Sequence, residues 1–203
     1  MKIYVARHGQ TIWNTEHRMQ GWQDSNLSPK GIEDAKKLGQ RLKDTHFDAI
    51  FSSPLGRAYN TAEYVRGNRK NEIVPLDSFK EMNFGAWEGM KDSEVIERYP
   101  EEHHHFWKEP ELFTPIQGES FPQLIERVDK GLKELIKENM GSRESILLVT
   151  HTCVIKSMLS LIKKLNVRDF WNPPFIYATS LTLLQVEDEA VKTILEADTS
   201  HLL

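Results

Sequence analysis

The feature that most constrains the fold of this chain is the alternation of short apolar runs with longer segments of helical periodicity. The apolar runs are 3–6, 47–51, 72–76 and 145–149, and helical patterns follow three of them. Strands that alternate with helices build a parallel sheet covered by helices on both faces. The order therefore predicts the α/β class: a three-layer αβα fold with a mainly parallel sheet and an antiparallel edge strand.

Helix start signals support this alternation at three places. Ser28-Pro29 is an N-cap followed by a proline in the first turn, and Ser53-Pro54 repeats the same signal. Ser120 with Gln123 matches a capping box. After Ser28 the apolar side chains recur at helical spacing, which predicts one buried stripe. These side chains are Ile32, Ala35, Leu38 and Leu42.

The rest of the chain is less regular. The pattern predicts a short helix over 92–99 that Pro100 ends, a helix over 152–163, and final strands over 179–186 and 191–196 around a turn at 188–189. The stretch from 90 to 118 has no clear period. We expect a single domain over 1–203, with 90–118 inserted as a small helical cap over the functional site.

Composition excludes several classes of function. The 203 residues carry a formal net charge of −4, whereas nucleic-acid and membrane-surface binding need a basic face. The single cysteine, Cys153, allows no intramolecular disulfide and suits a reducing compartment. The run at 3–6 is too short for a signal-peptide core. We therefore expect a cytoplasmic protein without nucleic-acid or membrane partners, and the sequence leaves its oligomeric state open.

Basic and imidazole side chains follow the predicted strands. Arg7 and His8 come after the first, Arg57 lies in the helix after the second, and His151 follows the 145–149 strand. Parallel strands bring these positions to one edge of the sheet, where ligands bind in such folds. A cation near a helix N-terminus opposes the helix dipole, and an anion placed there resolves the conflict. A phosphate dianion is the natural candidate.

A histidine in such a cluster can act as a nucleophile. Neighbouring arginines lower its pKa, keep it neutral and spread the charge of a transferring phosphoryl group. A covalent intermediate divides the hydrolysis of a phosphomonoester into two displacements, each of which needs proton handling. Glu81 is the candidate acid and base. Glu88, beyond the turn at Gly85, is a rival for that role.

Several motifs of the chain resemble the signature of the histidine phosphatase superfamily, also called the phosphoglycerate mutase-like family. They occur in the family's order over most of the chain. The matching segments are 7–11, 13–14, 18–21, 27–28 with Gly31, 52–54 with 57–58 and 61–62, 81–85, 87–89, 118–120 and 149–151. Asn26 departs from the pattern, because relatives usually have proline before Leu27, but it lies outside the expected pocket.

The resemblance implies roles for the residues of the expected pocket. His8 would carry the phosphoryl group, and Glu81 would donate and accept the proton. The phosphate pocket would be completed by Arg7, Arg57 and His151. Substrate would also contact Asn14, Gln20, Gly21 and Thr152. No metal and no organic cofactor is implied, and the substrate would be a small phosphorylated metabolite.

The family contains both phosphatases and mutases, so two activities remain open. In the cofactor-dependent phosphoglycerate mutases, the segment that corresponds to 89–119 is longer and carries paired arginines that bind the substrate carboxylate. Here it is short, without adjacent arginines, and carries Phe106, Trp107 and Phe113. This favours a phosphatase that tolerates apolar leaving groups, with a mutase dependent on 2,3-bisphosphoglycerate as the alternative. A binding module without turnover is a third hypothesis, disfavoured because no expected catalytic group is missing.

Other chemistries have weaker support. A thiol phosphatase would need an arginine six residues after Cys153, where Leu159 stands, so the cysteine is better interpreted as buried filler. The histidines at 103–105 are consecutive, and consecutive helical residues point in different directions and cannot readily share one metal ion. One of them could edge the pocket from the cap. Each of five aromatic side chains could belong to the core or to the substrate wall: Trp22, Phe84, Trp87, Phe106 and Trp107.

Overall fold

The computed structural model describes residues 1–188 and 190–203, and a mixed sheet of six strands forms its centre. In chain order β1 to β6, the strands are Lys2–Arg7, Ala49–Ser52, Ile73–Pro75, Ser145–Thr150, Leu181–Glu187 and Ala190–Asp198. Their spatial order is β3-β2-β4-β1-β5-β6. The first four strands pair in parallel, and the two antiparallel pairings, β1 with β5 and β5 with β6, lie toward one edge.

Seven α-helices occur in the described residues. In chain order α1 to α7, they are Ile12–Thr15, Pro29–Arg41, Gly56–Arg66, Asp92–Arg98, Pro100–Lys108, Phe121–Asn139 and Thr152–Lys163. Side chains of β4 alternate between two apolar clusters. Leu147 and Val149 pack with α2 and α3, whereas Ile146 and Leu148 pack with α6 and α7. The αβα layering predicted from the alternation of strands and helices is therefore confirmed.

The parallel pairing of β1, β4 and β2 brings three strand ends to the same edge. In the registers of these pairs, Arg7 lies beside Thr150 and Ser52 lies beside Val149. The residues that follow these strands, His8, Ser53 and His151, therefore emerge together. This placement follows from topology, and it assembles side chains that are far apart in the sequence.

Two of the helix start signals are confirmed and one is wrong. The Ser28 hydroxyl accepts a hydrogen bond from the Gly31 N–H at 3.0 Å, and Ser120 forms the predicted capping box with Gln123. Ser53 caps no helix: α3 begins at Gly56 after Leu55. The hydroxyl of Ser53 lies 2.7 Å from His151 Nε2 instead, so a tertiary contact has taken the side chain that could have served as the cap.

The segment expected to form a cap contains two short helices. Helix α4 ends before Pro100, as predicted, but Pro100 then opens α5, because a proline fits the first turn of a helix. Phe106 of α5 packs with Phe113, Phe121 and Trp171 in a cluster of aromatic rings. The turn predicted at 188–189 includes Glu189, which lies outside the described residues.

Within residues 1–188 and 190–203, none of the helices combines the length and the apolar character that crossing a membrane would require.

Candidate active site

A cavity of about 780 Å³ opens at the edge of the sheet where β1, β2 and β4 end. All the residues predicted to form the site line it except His151. Those that line it are Arg7, His8, Asn14, Gln20, Gly21, Arg57, Glu81 and Thr152. The side chain of His151 is completely buried, and its ring centroid lies 5.2 Å from that of His8. The structure thus brings all the predicted site residues together.

The ring of His8 is fixed in a defined orientation. Its Nδ1 lies 2.7 Å from the carbonyl oxygen of Gly9, so Nδ1–H donates there and the lone pair is on Nε2. The backbone N–H of His8 donates to the Thr150 carbonyl at 2.9 Å. Gly9 is required at this point, because a Cβ would come within 2.6 Å of the carbonyl oxygen of Gly31. A neutral His8 therefore presents Nε2 as a nucleophile.

The surroundings of His8 keep it neutral. Burial is the largest effect that lowers its pKa well below the ordinary value, and the positive charges of Arg57 and Arg7 lower it further. The hydrogen bond to Gly9 opposes this shift but does not reverse it. Because protonation would remove the lone pair on Nε2, the lowered pKa preserves the nucleophilic form down into the acidic range.

Arg57 is held by the segment that precedes α2. Its Nη1 donates to the carbonyl of Gln23 at 2.8 Å and to Asp24 Oδ1 at 3.0 Å, and its Nη2 donates to the carbonyl of Gly21 at 2.7 Å. The side chain is 1% exposed. These bonds leave the Nε–H and one N–H of Nη2 free for another acceptor. This pair of parallel donors suits an oxyanion.

Three buried nitrogen atoms near His8 have no hydrogen-bond partner among the described residues. They are Nε of Arg7, Nε of Arg57 and Nδ1 of His151. Buried polar groups are nearly always paired, so three unpaired ones in a small region need an explanation. An anion bound between them would supply acceptors to all three. This arrangement matches the phosphate pocket expected from the sequence.

Asp24 resolves part of the conflict between Arg57 and the helix dipole. Its carboxylate accepts the backbone N–H of Arg57 at 3.2 Å and also contacts the guanidinium. A carboxylate at the N-terminus of α3 is electrostatically favourable. No local sequence pattern links position 24 to position 57, so the role of Asp24 could not be predicted from the sequence. An anion bound beside Arg57 would therefore share with Asp24 the role of offsetting the charge of Arg57.

Glu81 faces the same cavity from the loop after β3. Its Oε1 accepts hydrogen bonds from the backbone N–H groups of Met82 at 2.9 Å and Cys153 at 3.2 Å. Burial is the largest effect on its pKa and raises it, although these hydrogen bonds and the charges of Arg57 and Arg7 oppose the rise. Because Oε1 is occupied, Oε2 is the oxygen available to carry a proton. The raised pKa favours a carboxyl that can act as a general acid.

The loop that carries Glu81 is held by one arginine that no sequence motif indicated. Arg127 of α6 donates to the carbonyls of Ser78 and Lys80, both at 2.9 Å, and to that of Glu81 at 3.2 Å. Glu119 accepts two further bonds from the same guanidinium at 2.7 Å. The resemblance includes Glu119 but assigns it no role, and Arg127 lies outside the matching segments.

The rival acid, Glu88, has a different position. Its Oε1 accepts the backbone N–H groups of Trp22 at 2.8 Å and Phe84 at 3.1 Å, and its Oε2 accepts that of Gln23 at 3.0 Å. It lies against Gly21, where a Cβ would meet Glu88 Oε1 at 2.1 Å. The positive φ of 57° at Gly21 also favours glycine. Glu88 therefore joins two loops and does not line the cavity.

The polar residues predicted to contact substrate are oriented by Thr11. Oδ1 of Asn14 accepts the backbone N–H of Thr11 at 3.0 Å, and Oε1 of Gln20 lies 3.0 Å from the Thr11 hydroxyl. With their oxygens engaged, the amide NH₂ groups of Asn14 and Gln20 are the donors left for a ligand. Thr152 is the first residue of α7, where backbone N–H groups have no partner within the helix.

The upper wall of the cavity is aromatic and also basic. Its aromatic side chains are Phe84, Phe106, Trp107, Trp171 and Phe175, and its basic ones are Arg18, Lys108 and Lys156. Of these three basic residues only Lys108 belongs to the segment 90–118, whereas Arg18 and Lys156 reach the cavity from other parts of the chain. Lys156 of α7 donates to the carbonyls of Trp171 at 3.1 Å and Pro173 at 2.6 Å.

The ambiguous aromatic residues divide between the core and the wall. Trp87 is a core residue, 2% exposed. Trp22 donates its indole N–H to the Glu81 carbonyl at 2.9 Å and so supports the loop that carries this glutamate. Phe84, Phe106 and Trp107 line the cavity.

Neither the histidine run nor the cysteine forms a second reactive centre. His103 and His104 line the cavity, and His103 Nε2 lies 3.1 Å from Asp92 Oδ1. No group of three or more potential metal-binding side chains (His, Cys, Asp or Glu) occurs in the part of the chain that the structure describes. Cys153 is buried, and burial raises the pKa of its thiol well above the ordinary value, which disfavours a nucleophilic thiolate.

Comparisons with known proteins show the family and the fold of the chain. The family model described as "Histidine phosphatase superfamily (branch 1)" matches residues 3–199. Phosphoserine phosphatase 1 of Hydrogenobacter thermophilus is 33% identical over 85% of this chain and 81% of its own length. A 2,3-bisphosphoglycerate-dependent phosphoglycerate mutase of Cytophaga hutchinsonii is 28% identical over 82% and 79%. Among solved structures, Bacillus stearothermophilus YhfR superposes with a TM-score of 0.96, with 38% identity over 100% of this chain and 99% of that one.

Proposed function

The chain belongs to the histidine phosphatase superfamily, and we propose that it is a phosphatase that cleaves small phosphomonoesters through a phosphohistidine on His8. The observation that carries the proposal is the combination of a neutral, oriented His8 with unpaired buried donors beside it. Nε2 of His8 is free to attack, and the nitrogens of Arg7, Arg57 and His151 are free to bind phosphoryl oxygens. Nucleophile and anion site thus occupy one cavity.

The first step transfers the phosphoryl group to the enzyme. Nε2 of His8 attacks phosphorus while the bond to the leaving oxygen breaks, and protonated Glu81 donates its proton to that oxygen. Arg7, Arg57 and His151 bind the three phosphoryl oxygens and spread their charge. The product alcohol leaves with the proton, and Glu81 becomes a carboxylate.

The second step returns the enzyme to its starting form. The Glu81 carboxylate takes a proton from water as the water oxygen attacks phosphorus, and the bond between phosphorus and Nε2 breaks. Inorganic phosphate leaves, His8 regains its lone pair, and Glu81 is protonated again. The raised pKa of Glu81 serves both steps, because the carboxyl must hold a proton in one and accept a proton in the other.

The cavity wall suggests the class of substrate. Five aromatic rings favour leaving groups with apolar surface, and the cations of the wall tolerate a polar substituent. The substrate is a small phosphorylated metabolite, and the segment 90–118 acts as a cap on a single domain that covers 1–203. The buried, unpaired Cys153 suits a reducing cytoplasm. Neither nucleic acid nor membrane is a partner.

The relatives include two activities, so a test must separate them. One relative is named a phosphoserine phosphatase and another a phosphoglycerate mutase. Purified protein is given p-nitrophenyl phosphate in one assay, and 3-phosphoglycerate with and without 2,3-bisphosphoglycerate in the other. We expect free phosphate from the aryl ester, no loss of activity with a metal chelator, and little 2-phosphoglycerate.

Variants identify the source of the activity. His8→Ala is expected to abolish phosphate release, whereas His46→Ala, which removes an exposed histidine elsewhere, leaves it unchanged. Formation of 2-phosphoglycerate that depends on priming, with little free phosphate, would instead establish a mutase. Phosphate affinity without any turnover would establish a binding module.

A further inference from the structure

The two ring nitrogens of His151 have unequal surroundings. Nε2 lies 2.7 Å from the hydroxyl oxygen of Ser53, whereas Nδ1 is buried without a hydrogen-bond partner among the described residues. A neutral imidazole has one nitrogen that donates and one that accepts, so the position of its single proton decides what Nδ1 can do. The neighbours of Ser53 indicate where that proton lies.

The hydroxyl of Ser53 has one proton, and its contacts indicate where this proton points. The backbone N–H of Leu55 donates to the Ser53 oxygen at 3.3 Å, which occupies one lone pair. His151 Nε2 is the remaining partner of this oxygen in the described structure. Ser53 is itself fixed, because it follows β2 directly and its N–H donates to the Val149 carbonyl at 2.9 Å. The hydroxyl can therefore donate to Nε2, which makes Nε2 the acceptor.

His151 has two other possible protonation states: a neutral ring with its proton on Nε2, and a cation with both nitrogens protonated. The first leaves hydrogen-bonding groups without partners, and a lowered pKa disfavours the second. With its proton on Nε2, the Ser53 oxygen would accept twice, and both the hydroxyl proton and the Nδ1 lone pair would lack partners. Although His151 is the N-cap of α7, its side chain accepts no hydrogen bond from that helix. Burial and the neighbouring Arg57, His8 and Arg7 lower its pKa well below the ordinary value, which disfavours the cation.

From these contacts we infer that Ser53 is a positioning residue: it holds neutral His151 with its proton on Nδ1, so that Nδ1–H donates to an oxygen of the transferring phosphoryl group. The role of Nδ1–H toward phosphate rests on the proposed function, whereas the position of the proton does not. His8 also carries its proton on Nδ1, but there Nδ1–H donates to the carbonyl oxygen of Gly9. One histidine thus presents a lone pair to phosphorus, and the other presents a donor to oxygen.

Nitrogen NMR of the histidine side chains tests the inference directly, because it reports which ring nitrogen carries the proton: protonated and unprotonated nitrogens have distinct chemical shifts. Protein with ¹⁵N-labelled histidine is recorded without substrate, and His151→Gln identifies the resonances of residue 151. We expect protonated Nδ1 and unprotonated Nε2 in the wild-type protein. In Ser53→Ala the His151 tautomer is expected to change or become mixed. Added inorganic phosphate is expected to shift the Nδ1–H proton only while Ser53 is present.

Kinetics of the same variants test the consequence. Ser53→Ala is expected to lower kcat by roughly 10- to 100-fold, as losses of groups that orient a reacting side chain do, with a smaller effect on KM. Ser53→Thr keeps the hydroxyl and is expected to restore most of the rate. Ser160→Ala is the matched control and should behave as wild type. It removes a buried hydroxyl of α7 that has no hydrogen-bond partner in the described residues.

Two results would overturn the inference. A wild-type His151 protonated on Nε2 would show that Ser53 accepts and does not donate. An unchanged tautomer in Ser53→Ala, with unchanged kcat, would show that the hydroxyl does not select the proton's position. Failure of the proposed function appears elsewhere, as hydrolysis that survives His8→Ala, because the tautomer is measured in protein that is not turning over.

Discussion

The floor and the wall of the cavity are built in different ways. The floor is defined as Arg7, His8, Arg57, Glu81 and His151; all of these are buried except the partly buried Arg7, and Arg57 is only 1% exposed. The wall, defined as the aromatic and basic residues above it, includes Trp107 at 41% and Phe175 at 64% exposure. Floor side chains are held by hydrogen bonds, and those of Arg7 and Arg57 reach the backbone of distant segments. The aromatic side chains of the wall pack mainly against other rings.

This difference indicates which part of the molecule sets the chemistry and which sets the substrate. A group fixed by several directional bonds keeps its geometry during the reaction, as preorganised electrostatic stabilisation requires. A wall of aromatic side chains that are partly exposed can accept different leaving groups with small adjustments. Substitutions in the floor should therefore change kcat, and substitutions in the wall should change KM and selectivity.

The largest effect is expected from Glu81→Gln, which removes the proton donor of the floor. For an alkyl phosphate, whose leaving oxygen needs a proton, kcat should fall by about 10²- to 10⁴-fold. For p-nitrophenyl phosphate the first step needs no proton, so rapid mixing should show a burst of p-nitrophenolate followed by slow turnover. The burst would reflect accumulation of the phosphoenzyme.

Glu88→Gln is the matched control, because Glu88 is the rival carboxylate and bonds only to backbone N–H groups. It should preserve the wild-type ratio between the two substrates. If Glu88→Gln produced the burst and Glu81→Gln did not, the two glutamates would have to exchange roles.

Substitutions at Arg57 test whether the reaction needs the two N–H donors of this guanidinium in addition to its positive charge. Arg57→Lys keeps the positive charge but loses the Nε–H, and kcat should fall by about 10²- to 10³-fold. Arg57→Met also removes a charge that lowers the pKa of His8, so this pKa should rise toward its ordinary value. The acid limb of the kcat/KM profile should then move to higher pH in Arg57→Met, and much less in Arg57→Lys. If the acid limb lay at the same pH in both variants, the charge of Arg57 would not be what lowers the pKa of His8.

The smallest effect is expected in the wall. Trp107→Ala should raise KM for an aromatic phosphomonoester by about 2- to 10-fold, the contribution of one aromatic contact, with little change in kcat. A small alkyl phosphate should be nearly unaffected. Leu112→Ala removes an exposed side chain from the same segment outside the cavity and serves as the control. A large loss of kcat in Trp107→Ala would remove the distinction between floor and wall.

The sequence predicted the floor better than the supports beneath it, for a physical reason. His8, Arg57 and His151 follow strands, so strand and helix patterns with the parallel topology place them at one edge. Glu81 is the candidate acid and base in the same argument, and the family resemblance implies the same role for it. Their supports act across long sequence separations. Asp24 is 33 residues from Arg57, and Ser53 is 98 residues from His151. No periodicity or cap pattern records such contacts.

The Ser53 signal shows how a local pattern can mislead. Ser53-Pro54 has the composition of a helix start, but the hydroxyl that would cap the helix is engaged by His151. Local propensity yields here to a tertiary contact, which is typical of functional sites. A local pattern also gave only half of the structure at Pro100. The proline was predicted to end the helix before it, but it also opens α5.

Trapping the phosphoenzyme tests the central claim most directly. Glu81→Gln protein is mixed with p-nitrophenyl phosphate, quenched in alkali, where phosphohistidine survives, digested, and mapped by mass spectrometry. We predict one phosphoryl group on His8, and none in the double variant that also carries His8→Ala. A wild-type-like rate with no phosphopeptide, or phosphate on another residue, would contradict the account.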